Sequence, residues 1–299
     1  MEEIKEFDTF ILNYIKELYS KNENITEALL KRGIEINAQI IEMIYDLQSG
    51  TYTKDWLTSP DKNKTFAKEI VQHISKLIEP GKTLLDAGVG EGSTLIPILA
   101  EFGKPLDVLA FDISWSRLSW ATENAFNNGM TINFAVADLL SIPLADASVD
   151  YILTVHALEP NGGQETKILK ELSRVVRRFV FLVEPDWDIA SPEQKLRMKS
   201  LNYIGSLNFP ISNSGLRIVS RSTIKSNSNQ LNAASIFILE KIDTNDKLNP
   251  KDWMDPILKE PLLEFEGGLR GKSGLWYPVL RNIPFLRRID AKSTISPRK

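Results

Sequence analysis

The sequence predicts an α/β fold: an open, largely parallel sheet with helices on its faces, preceded by a helical region and followed by a small β-rich module. Three observations carry this. An apolar strand at Leu84-Leu85 runs through Asp86-Ala87 into Gly88-Val89-Gly90-Glu91-Gly92 and then into the helical run Leu95 to Leu99. Successive strands end in acids: Asp86, then Asp112, then Asp138. Before residue 80 apolar residues recur at helical spacing, whereas after Asn249 short apolar runs are cut by Pro250, Pro256, Pro261, Pro278 and Pro284.

In the helical region, Ile4, Phe7, Ile11, Tyr14, Ile15 and Leu18 form one apolar stripe. Ile25 to Leu47 supplies a second helical stretch, weakly interrupted at Gly33, and Lys64 to Ile78 a third, stopped by Pro80-Gly81. These helices are either a collar covering the sheet edge or a lid over a bound acceptor. As a lid, their aromatic-bearing loops would be Gly50-Thr51-Tyr52 and Trp56 to Pro60.

The glycine stretch is the strand, tight turn and helix start of a nucleotide-type α/β unit. Glycine lets the turn close and a ligand touch the backbone, and the helix N-terminus offers free N–H groups. Alone this signal is weak; the acids strengthen it. The strand Val108 to Phe111 ends in Asp112, 20 residues beyond Gly92, where a carboxylate can accept bonds from both hydroxyls of a ribose. Ile132 to Ala137 ends in Asp138-Leu139, a polar and an apolar group suited to an adenine edge and face. In an open parallel sheet such strand ends line one crevice.

Further along, Ser114 fits an N-cap for a helix from Trp115 to Asn127, with Trp115 either near an adenosine or simply packed. Gln164 to Val176 reads as a crossover helix and Phe179 to Val183 as the fifth strand. Ser191-Pro192-Glu193-Gln194 has the form of a capping box opening a helix through Leu201. Leu216 to Thr223 and Ala234 to Leu239 form a final pair of β runs.

A length of 299 residues with 42% apolar content suffices for one core plus accessories. No run has the length of a membrane span, and Met1-Glu2-Glu3 is acidic where a secretion signal is basic, so the expected location is the cytoplasm. A net charge of −3 disfavours a nucleic-acid partner. The chain has no cysteine and two histidines, His73 and His156, which excludes disulfides, cysteine-ligated zinc, iron–sulfur clusters and a cysteine nucleophile.

The residues Leu85 to Gly92, Phe111-Asp112, Ala137-Asp138-Leu139 and Asp150 to His156 together resemble the four ordered motifs of class I S-adenosylmethionine-dependent methyltransferases. The likeness covers roughly residues 80 to 241. It implies a Rossmann-like seven-stranded sheet and S-adenosyl-L-methionine as cofactor, bound by Asp86, Gly88, Gly90, Gly92, Asp112, Ile113, Asp138 and Leu139. A nicotinamide-type fold is the rival, and its third glycine would fall at Ser93. After the fourth strand the chain has His156-Ala157-Leu158-Glu159-Pro160-Asn161 in place of the Asn/Asp-Pro-Pro-aromatic motif of relatives that methylate amino groups of adenine or glutamine. A hydroxyl or carboxyl acceptor on a small molecule or glycan is therefore expected, with no metal. His156 is the candidate general base, and Glu159, Asn161, Glu184 and Asp186 the candidate acceptor-binding residues. An RNA or protein acceptor, a non-catalytic scaffold and a nicotinamide-dependent oxidoreductase stay open as alternatives.

Asp255 to Leu262 and Gly274 to Pro284 resemble a second family, the small zinc-ribbon-like proteins that activate methyltransferases. Asp255 and Leu258 stand where that family has metal-binding cysteines, so the resemblance implies a β-rich shape without zinc. The expected division is a helical region at 1–79, a donor-binding domain at 80–241 and this module at 249–299.

Overall fold

The computed structural model describes residues 2–226, 231–243 and 249–293, with side chains from residue 9 onward. Five helices come first: α1 (Glu2–Ser20), α2 (Ile25–Lys31), α3 (Ala38–Leu47), α4 (Thr51–Thr58) and α5 (Pro60–Ile74). Ile11, Ile15 and Leu18 of α1 close a small core with Leu29 and Ile40. Ile4 and Phe7 belong to the same helix, but their side chains lie outside the described residues. Two expectations for this region are corrected. The stretch 25–47 is two helices, because Gly33 turns the chain at φ +72 and Asn37 then caps α3 by accepting from the Ile40 N–H at 3.0 Å. The supposed lid loops at 50–60 are α4 and the start of α5.

The sheet alternates with helices as β1 (Thr83–Ala87), α6 (Leu95–Phe102), β2 (Asp107–Asp112), α7 (Trp115–Asn127), β3 (Asn133–Val136), β4 (Val149–Val155), α8 (Glu165–Val175) and β5 (Val176–Pro185). Then come α9 (Pro192–Ser200), α10 (Asn208–Ser212), β6 (Leu216–Thr223) and β7 (Ala234–Lys241). The strand order is β3-β2-β1-β4-β5-β7-β6, parallel throughout except that β7 runs antiparallel to β5 and β6. This is the seven-stranded Rossmann-like methyltransferase fold. Both faces are covered: Leu85, Leu109, Ile152 and Leu182 pack with α8 on one side, while Leu84, Val108, Leu153 and Val183 pack with α5, α6 and α7 on the other. Ser114 caps α7, and Ser191 with Gln194 forms the capping box of α9.

The C-terminal segment forms a small antiparallel sheet from β8 (Leu263–Phe265), β9 (Gly268–Arg270), β10 (Leu275–Leu280) and β11 (Ile283–Pro284), with β12 (Lys292–Ser293) on the other edge of β10. It sits at the β3 edge, where Phe285 bridges Val136 in parallel and the Leu286 N–H donates to the Val136 carbonyl at 2.7 Å. Trp253, Tyr277 and Leu286 are buried in the same apolar cluster as the sheet. Trp115 stacks on Phe285, a partner from the far end of the chain. No described helix is long and apolar enough to cross a membrane.

Candidate active site

The carboxyl ends of β1, β2, β3 and β4 open into one narrow crevice lined by Gly88, Asp112, Ile113, Asp138, Leu139, His156, Ala157, Pro160 and Asn161. Ala38, Ile41 and Tyr45 of α3 roof it, and Arg117 of α7 joins the lining. The roof and Arg117 were missing from the expected set. Amphipathic spacing marks α3 as buried but says nothing of what it covers, whereas an arginine in the first turn after a strand-end acid was a visible signal.

The turn after β1 is forced to be glycine at position 88. Its φ is +91, and a Cβ there would lie 2.4 Å from that of Ala157 in the loop after β4. Gly90 lies under Arg117, and Gly92 faces Ile96 and Ala121 of the packed helices; neither lines the crevice. Glu91 points away from it: its carboxylate accepts from the Gly50 and Thr53 N–H groups at 2.9 and 2.6 Å, capping α4 across the fold.

Asp112 is buried and accepts from the Gly90 N–H at 2.8 Å and the Ser114 N–H at 2.9 Å, one on each oxygen. A carboxylate has about four lone-pair sites, so each oxygen keeps one for a ligand hydroxyl. Asp86 is buried just behind the crevice, and that burial, reinforced by the nearby Asp112 charge, pushes its carboxyl up to about 8. Asp138 borders the crevice and accepts from the Leu140 N–H.

His156 leaves β4 in the left-handed region at φ +55, a conformation that costs a non-glycine residue about 1–2 kcal/mol. What holds it is Glu184. The Thr154 hydroxyl and the Ala157 and Leu158 N–H groups donate to Glu184 Oε1 at 3.0, 3.0 and 3.1 Å, and the Glu159 N–H donates to Oε2 at 3.2 Å. Three successive backbone N–H groups thus wrap one carboxylate. Burial pushes Glu184 up to about 7 in spite of these bonds. The His156 ring stacks on Phe66, and its Nδ1 lies 2.9 Å from Glu159 Oε2.

Two of the expected acceptor-binding residues have carboxylates engaged within the protein: Glu184 holds the loop after β4. Asp186 is buried, pairs with Arg221 and accepts from the Asp188 N–H at 3.1 Å. Glu159 and Asn161 remain beside His156. Replacing Glu184 with alanine is expected to cost on the order of 3 kcal/mol, because four donors lose their acceptor together. A thermal melt checks this, with an unchanged midpoint as the contrary result.

Known proteins resemble the part of the chain that carries this crevice. Residues 84–178 match the model of a methyltransferase domain. The chain is 28% identical over 100 residues to the ubiquinone/menaquinone biosynthesis C-methyltransferase UbiE of Laribacter hongkongensis, covering 33% of this chain and 41% of that protein. It is 26% identical over 133 residues to the ajmaline N-methyltransferase of Rauvolfia serpentina, covering 42% and 45% respectively. The chain thus spans less than half the length of either relative. A chain from the complex of the Haloferax volcanii Trm112 methyltransferase activator with a methyltransferase superposes with a TM-score of 0.51 at 14% identity, covering 67% of this chain and 98% of that one. At that identity the likeness is one of fold. Residues 84–178 are thus similar to a methyltransferase domain, and the two relatives are by name a C-methyltransferase and an N-methyltransferase.

Proposed function

We propose that this protein transfers a methyl group from S-adenosyl-L-methionine to a hydroxyl of a small polar molecule or sugar in the cytoplasm. What supports it is that the stretch similar to a methyltransferase domain lines a crevice with a buried acid that keeps free lone pairs, Asp112, and a histidine held by Glu159, His156. In this reading residues 1–79 form the helical roof, 80–241 the donor-binding domain and 249–299 a built-in relative of the activator proteins. Residues 294–299 lie outside the described structure.

The fit to the donor rests on the chain's own groups. Asp112 keeps lone pairs that two ribose hydroxyls would use, Asp138 and Leu139 line the same crevice and would take the adenine, and the Gly88 turn leaves room that any side chain would fill. The bound donor would supply an activated methyl group with its own leaving group, so the protein's work is placement and proton removal. Glu159 accepts from Nδ1–H of a neutral His156, which leaves Nε2 as the proton acceptor. The proton of the acceptor hydroxyl would pass to that nitrogen. Glu159 and Asn161 stand beside it to hold acceptor hydroxyls.

Removing the Asp112 carboxylate is expected to weaken donor binding by roughly tenfold to a hundredfold, the effect of losing a charged acceptor of two hydrogen bonds. Calorimetry with S-adenosylhomocysteine on Asp112→Ala measures this, and unchanged affinity would sink the assignment of the crevice. The acceptor class is tested by S-adenosylhomocysteine release against sugars, small acids and short RNAs; release with RNA alone would overturn it.

A further inference from the structure

Arg117 reaches from the first turn of α7 back over the glycine turn, and nine-tenths of it is buried. A Cβ at Gly90 would lie 3.0 Å from its Nη2, so the guanidinium rests on the turn itself. The Tyr45 and Tyr52 rings each stand 4.7 Å from its central carbon. It shares the lining of the crevice with Gly88, Asp112 and His156.

Asp112 and Glu91 lie near enough to favour its charge, yet neither pairs with it: among the described residues no carboxylate oxygen comes within 4.0 Å of its nitrogens. Asp112 is turned to the Gly90 and Ser114 N–H groups, and Glu91 to those of Gly50 and Thr53. The buried Nε of Arg117 has no hydrogen-bond partner. Burying a cation without an anion is costly, and stacking on two tyrosine rings offsets only part of that cost. A guanidinium is also the side chain whose planar fork matches a carboxylate.

We propose that Arg117, held between Tyr45 and Tyr52, is a binding residue for a carboxylate of a ligand in the crevice. The inference rests on the donor-binding reading above. The carboxylate has two sources, the amino-acid end of the donor or an acid group on the acceptor. The rival account makes Arg117 a fastener that ties α3 and α4 to α7 through its stacking, with no ligand involved.

Calorimetry on the full chain separates these. S-adenosylhomocysteine carries the carboxylate, whereas 5′-methylthioadenosine keeps the nucleoside and thioether without it. If the donor is the source, Arg117→Gln lowers S-adenosylhomocysteine affinity tenfold or more and leaves 5′-methylthioadenosine unchanged. If the acceptor is the source, neither affinity changes. Benzoate or succinate then raises the melting temperature of the wild-type chain saturated with S-adenosylhomocysteine, but not that of the variant. Equal losses for both nucleosides, or no response in either arm, overturn the proposal. Should Arg117→Gln fail to fold, Arg117→Lys decides, since it keeps the charge and loses the fork: a selective loss for S-adenosylhomocysteine, or loss of the benzoate and succinate effect, supports binding, and wild-type behaviour refutes it. A wild-type chain that binds neither nucleoside refutes the donor reading itself.

Discussion

Replacing His156 with alanine is expected to lower turnover by roughly 10² or more while donor affinity stays nearly intact. The residue lines the crevice together with Asp112 and Asp138 but is not one of the groups proposed to hold the ribose and adenine, so in the proposed reading its loss removes the proton acceptor and leaves the donor contacts in place. Its environment also sets a pH signature. Burial lowers its pKa, but the charge and hydrogen bond of Glu159 outweigh burial and hold it above the ordinary histidine value. A base works in its neutral form, so activity rises with pH through a midpoint above that value. Glu159→Gln removes the charge and is expected to move the midpoint down, whereas a purely structural His156 would leave the profile flat. Normal turnover in His156→Ala would return the residue to the role of a strand-end turn.

How much of this was legible depended on whether the cause was local. The glycine turn, the Ser114 cap and the Ser191–Gln194 box are short-range devices, and the structure has them where the sequence put them. The β6 strand matches its expected limits, Leu216 to Thr223, since a β-branched run has few other uses. The helix α4 was missed for the opposite reason. Its N-terminus is capped by Glu91, distant in sequence, and the local signals at Gly50 and Pro60 suggested loops instead. Asp112 lines the crevice, whereas Glu184 and Asp186, also at a strand end, are turned to the loop after β4 and to Arg221. Nothing in the sequence around a strand end states which way its carboxylate turns. Arg117 is signalled in part, by its place in the first turn after Asp112, but its reach back over Gly90 exists only in the folded chain.

Deleting residues 249–299 is expected to lower the melting temperature of the remaining chain sharply or cost its solubility, while chelators leave the intact protein unchanged. Trp253, Tyr277 and Leu286 are buried against the sheet, and at about 2 kcal/mol each their contacts amount to roughly 6 kcal/mol. Domains have only about 5–15 kcal/mol in all, so a drop on the order of 10 °C follows. The cut also removes the Leu286 bond to Val136 and uncovers the β3 edge. It reaches the crevice as well: Arg287 donates to the Ile113 carbonyl at 3.2 Å and pairs with Glu42 of α3 at 2.6 Å, tying the module to the wall and roof of the site. The chelator result is expected because the turn at Asp255, where the resembling family has a cysteine, is closed by hydrogen bonds: its carboxylate accepts from the Ile257 and Leu258 N–H groups, both at 2.8 Å. A module of some fifty residues that lacks a metal must draw its stability from a partner surface, and fusion keeps that surface always at hand. A truncated chain that melts, binds donor and turns over like the full one would make the module an independent appendage.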